Sequence, residues 1–110
     1  MTTLSPTEIL RVKVNQETSR IKWTELERFF ASGAAIFVGD GLDLVEVGVQ
    51  ISEDNKAQVA LWLDAGQVAN VTDAQALEWH EADAEVWAVV VSPYVLVQRT
   101  SGSVRRTNQA

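Results

Sequence analysis

The chain has 110 residues, 46% of them hydrophobic, enough for one domain whose core needs no metal or disulfide. It contains no cysteine, which excludes thiol catalysis, disulfides and Cys-based zinc sites and fits a reducing cytosol. Fifteen carboxylates against nine Lys+Arg give a formal charge of −6, and −8 before Thr100, so phosphate backbones are repelled and nucleic acid is not an expected partner.

No apolar run has the form of a signal peptide or reaches the length of a membrane span, so the expectation is a soluble cytoplasmic protein with no membrane partner. Ser5-Pro6-Thr7-Glu8 has the form of a helix start, with Ser5 as N-cap, Pro6 at the first helical position and Glu8 placed to cap back. Ile9, Leu10, Val12, Val14 and Gln16 continue that helix to about Glu17, and a break follows over 18–20. Thr24 and Glu27 form a second capping box, for a helix that carries Leu26, Phe29 and Phe30 on one face and stops at Gly33. Glu25 and Arg28 are one turn apart there and can pair.

Residues 34–38 read as a short strand closed by the turn Gly39-Asp40-Gly41. The run 42–51 fits both periods: Val45, Val47, Val49 and Ile51 alternate, while Leu44, Gly48 and Ile51 share a helical face behind Asp43 as cap, and helix is the preferred reading. Ser52 opens a helix over 53–65 with Val59, Trp62 and Leu63 inward, ended by Gly66. A strand over 67–71 follows, then a third capping box at Thr72 and Gln75, starting a helix that buries Leu77 with Trp79 beside it.

The most apolar stretch is 87–98. Its β-branched valines favour extended structure. Fully extended from Glu85 to Gln98 it would span about 45 Å, against a diameter near 35 Å for a compact chain of this size. It must therefore bend, and Pro93 is the place. Ser92-Pro93 lacks the positive-φ residue of a two-residue hairpin turn, so the expectation is one bent strand and not a hairpin. Its first half is apolar on both faces, which calls for helical cover on both sides. The expected fold is α+β: a small three-stranded sheet covered by about five helices, residues 1–99 forming a single domain and 100–110 a disordered polar tail.

Residues 21–33, 42–47, 59–66 and 87–98 together resemble the recurring blocks of a small bacterial family called domain of unknown function 2288, over roughly residues 14 to 99. Tyr94 stands where that family has a tryptophan. The resemblance implies no activity and no catalytic residues. It strengthens the helix reading of 44–51, because relatives are alanine-rich there.

His80 is the sole histidine, and Glu78, Glu81 and Asp83 do not stand at ligand spacing from it, so a solvated helix face is the simpler reading and no metal or cofactor is expected. Gly39-Asp40-Gly41 lacks phosphate-loop spacing and puts a carboxylate where an anion would bind. The pairs Glu53-Asp54 and Glu78/Glu81 are explained by helix dipoles and solubility. No serine has a nucleophile-elbow setting. Four tryptophans remain, Trp23, Trp62, Trp79 and Trp87, each able to bury on the order of 200 Å². Trp79 among charged neighbours, and Trp23 near Glu25 and Arg28, make these four residues (Trp23, Glu25, Arg28, Trp79) the candidate interaction surface. Two functions follow: a non-enzymatic module that binds an unidentified protein partner and self-associates through the bent strand, as an uncovered apolar edge, or through its covering helices, or a small-molecule-binding or enzymatic domain with an aromatic pocket at Trp23, Arg28 and Trp79.

Overall fold

The computed structural model describes residues 3–100, so the polar tail lies outside the described residues apart from Thr100. In chain order the elements are α1 (Pro6–Glu17), β1 (Ser19–Lys22), a 3₁₀ turn (Trp23–Leu26), α2 (Glu27–Ala31), β2 (Ala35–Val38), α3 (Leu44–Ser52), α4 (Lys56–Asp64), β3 (Val68–Asn70), α5 (Asp73–Glu81), β4 (Glu85–Val91) and β5 (Tyr94–Arg99). The α+β class and the five helices stand. The sheet has five strands, not three, in the order β1-β4-β5-β2-β3.

Two corrections account for the difference. The valine-rich segment does form the middle of the sheet, but as an antiparallel hairpin, with β4 paired to β5 from Val86↔Arg99 to Val91↔Tyr94. The chain reverses at Ser92-Pro93 through a cis peptide bond, and neither residue takes a positive φ. Turns with a proline in the third position dispense with positive φ, which a rule based on glycine-type hairpins overlooks. The other correction is β1, read above as a break: Ser19 to Lys22 pair antiparallel with Ala88 to Glu85. Four residues are too few to establish a period.

The remaining pairings are β2 with β5, parallel, and β2 with β3, antiparallel. Both faces of the central strands are covered over most of their length, although Val90 of β4 is 61% exposed. On one face Val38, Val89, Val91 and Leu96 pack under α1, α3 and α4. On the other, Val86, Ala88, Val95 and Val97 pack under the 3₁₀ turn, α2 and α5. The buried Gln98 donates from Nε2 to the carbonyls of Gly39 (2.8 Å) and Leu42 (2.7 Å), which ties the β2–α3 loop to β5.

Local chemistry explains most helix ends. The Ser5 and Thr72 capping boxes both form, and Asp43 accepts from the Val45 amide at 2.9 Å. Residues 44–51 are helical, with the consecutive Val47, Gly48 and Val49 all buried, a burial that alternation would not give. At Gly48 an added Cβ would lie 3.0 Å from Val14 Cγ1, so α1 crosses α3 where there is no side chain. Two boundaries differ from expectation. The Thr24 box is absent, since the buried Trp23 opens a 3₁₀ turn instead. The next helix starts at Lys56 behind Asn55, because α3 runs through Ser52 and Asp54 turns the chain at φ 59°. Leu77, expected inside, is exposed, and it is Ala76 and Trp79 that face the core.

Candidate docking edge and cleft

A five-stranded open sheet has two edges, and here they differ in chemistry. β1 carries Arg20 and Lys22. Arg20 bonds Glu85 at 2.9 Å and lies 5.9 Å over the Trp87 ring, and Lys22 bonds Asp83 at 2.7 Å. Charges on an edge strand oppose the approach of another strand. β3 is Val68-Ala69-Asn70, without a charge, and it pairs only with β2.

The chain around β3 fixes which groups it presents. α4 ends at Asp64, Gly66 turns at φ +74°, and the Gln67 amide returns to the Trp62 carbonyl at 2.9 Å. The Gly39 amide then donates to Gln67 O (2.8 Å) and the Val71 amide to Ala35 O (3.2 Å). By the antiparallel alternation, residues 67, 69 and 71 point their backbone groups at β2, and Val68 and Asn70 point theirs away from it. Val68 is 2% exposed, so the accessible outward groups of β3 are those of Asn70. The side chains of Val68 and Asn70 turn to the face covered by α4.

There they border a cleft of about 380 Å³ between α4, the end of α3 and the sheet. Its floor is Ile36, Ile51, Val59 and Val68, and its rim carries Leu63, Asn70, Tyr94 and the pair Asp54–Lys56, 3.9 Å apart. An apolar floor with an amide, a phenol and one ion pair at the rim suits binding of apolar groups. Charge is uneven around it. Residues 57 to 84 contain no Lys or Arg but five carboxylates, of which Asp64 and Asp73 stand just before and just after β3.

The resolved pKa shifts belong to ion pairs that join elements elsewhere. Gln50 and Arg11 hydrogen bonds hold the Glu46 carboxyl below its usual range, and the same Arg11–Glu46 contact, between α1 and α3, raises the guanidinium. Asp83 raises Lys22, and Asp40 raises Arg99.

The sequence-derived site residues fall in another part of the molecule. Trp23 is 0% exposed and Trp79 6%. Their rings meet edge to face, centroids 5.0 Å apart, with Phe30 5.9 Å from Trp23. They are therefore core anchors and not an exposed aromatic surface. Glu25 and Arg28 are exposed, but they do not pair with each other; Arg28 lies 4.9 Å over Phe29. Neither lines the cleft between α4 and the sheet. His80 Nδ1 is 2.8 Å from Glu27 Oε2 on an exposed helix face, and among the described residues no cluster of His, Asp and Glu is placed to hold a metal ion. No described helix is long and apolar enough to cross a membrane. The strand at β3 was expected; its edge position was not. The signal was available in the uncharged run 65–72, set against the Arg20 and Lys22 of 19–22.

The fold defines a helix-covered mixed-sheet α+β domain with one uncharged edge strand. The chain belongs to the family described as Protein of unknown function (DUF2288), whose model matches residues 9–99. It is also similar to the protein in "NMR solution structure of PA1075 from Pseudomonas aeruginosa", at 39% identity over 91% of this chain and 93% of that one, with a TM-score of 0.74. No curated protein matches.

Proposed function

We propose that this domain is a non-enzymatic protein-association module that receives an extended segment of a partner protein along β3. The observation that supports this most is the contrast between edges: β1 is guarded by two cations, whereas β3 is uncharged and turns the backbone groups of the exposed Asn70 outward beside an apolar cleft. An added strand would bond those groups and place alternate side chains on the cleft, which is how sheet-edge recognition combines backbone affinity with side-chain specificity.

Asn70→Pro and Ala69→Lys test the reading. The first removes an outward amide without touching the β2 ladder, and the second puts a cation on the exposed edge, as β1 has. Cross-linked capture of partners from a cell extract should fall with both variants, while capture equal to wild type by both would contradict the proposal. A second reading draws on the cleft volume, which lies within the range of ligand sites: a small apolar molecule bound between Ile36, Ile51 and Val59. Such binding would survive Asn70→Pro and weaken in Val59→Asp.

A further inference from the structure

We infer that the segment docked on β3 is cationic, with apolar residues alternating with Lys or Arg. The inference rests on the strand-addition reading and adds the chemistry of the occupant. An added strand would have two faces. One meets the cleft floored by Ile36, Ile51 and Val59 and accepts apolar side chains. The opposite face is the one on which α5 packs, since Phe37, the β2 partner of Ala69, lies 6.1 Å from Trp79 of that helix.

α5 contains no Lys or Arg, and it opens with Asp73. Asp73 stands three residues after Asn70 and Asp64 four before Val68, so at 3.8 Å between consecutive Cα atoms each carboxylate lies within about 15 Å of the strand. Both are exposed, and neither has an ion-pair partner among the described residues. No Lys or Arg between 57 and 84 offsets them.

The same charges weigh against a second copy as occupant. Antiparallel pairing of β3 with itself about Ala69 would match Val68 to Asn70 of the other copy and use all the outward groups. It would also bring Asp64 of one copy toward the turn holding Asp73 of the other, and like charges facing each other across strands are destabilising. A cationic partner turns that repulsion into attraction, faster to associate at low salt.

The test uses the full chain and three labelled heptapeptides that share alternating valines and differ in the residues between them: lysine, threonine or glutamate. Fluorescence anisotropy should give the order lysine tightest, threonine weaker and glutamate not bound. Asp64→Asn and Asp73→Asn should each weaken the lysine peptide about two- to fivefold, the range of exposed charge pairs. Raising the salt should narrow the gap between peptides. Asn70→Pro should abolish binding of the lysine and threonine peptides alike. Equal lysine and threonine affinities, both lost in Asn70→Pro, would overturn the cationic inference and leave strand addition standing. Binding insensitive to Asn70→Pro, or none with any peptide, would overturn both.

Discussion

Trp23 illustrates how far a single side chain can be from its sequence context. Its charged neighbours Lys22 and Glu25 are exposed, yet the indole is enclosed against Trp79 and Phe30, and its Nε1–H has no hydrogen-bond partner among the described residues. An unpaired buried donor costs about 1–3 kcal/mol, which burial of the large ring must exceed. Trp23→Ala should therefore lose about 3–5 kcal/mol in urea unfolding, and Trp23→Phe, which also removes the orphan donor, distinctly less. If Trp23 instead served a contact surface, Trp23→Ala would leave stability unchanged. Gln98 makes the converse case: a buried amide whose two bonds hold the loop before α3. Gln98→Leu leaves two carbonyls without their donor and should cost about 1–3 kcal/mol in the same assay.

At the scale of elements, α1 is tied to α3 by apolar packing and by the exposed Arg11–Glu46 pair. The Glu46 carboxyl titrates below its reference value of 4.5 in the folded state. A depressed folded pKa contributes stability that is present above the unfolded value and lost as pH falls through the folded one. Wild type should thus lose more stability than Glu46→Gln between about pH 5 and pH 3, while parallel acid profiles would mean the carboxylate contributes nothing. Elements were legible in the sequence where several residues said the same thing. The Ser5 and Thr72 caps, the Asp43 start and the two-sided valine run all formed. They were not legible where a fold-level contact decided. Trp23 replaces a helix start with a 3₁₀ turn because its ring is drawn into the core. β1 exists because β4 needs a neighbour, and the turn at Pro93 obeys a proline rule instead of a glycine one. The edge position of β3 was the least legible feature, since which strand ends a sheet is a property of pairing order and not of any one segment. As an element, β3 should tolerate a change at its outward amide: Asn70→Pro should keep its unfolding free energy in urea within about 1 kcal/mol of wild type, because no ladder bond is removed. A larger loss would mean that amide is engaged within the fold.

The whole molecule divides its charges unevenly. Among the described residues the basic side chains sit on α1, β1, α2, the start of α4 and the end of β5, whereas the stretch from 57 to 84 carries five carboxylates and no Lys or Arg. Under the proposed reading this polarity, with a charged edge strand at one end of the sheet and an uncharged one at the other, favours the approach of an extended, cationic segment to β3. The most direct measurement is a titration of the ¹⁵N-labelled full chain with the lysine–valine heptapeptide, read by amide chemical shifts. The expected result is saturable shifts centred on Val68 and Asn70 and extending to Ile36, Ile51, Val59 and Tyr94 around the cleft. Shifts centred instead on β1, or on Glu25 and Arg28, with β3 silent, would contradict the assignment of β3 as the docking edge.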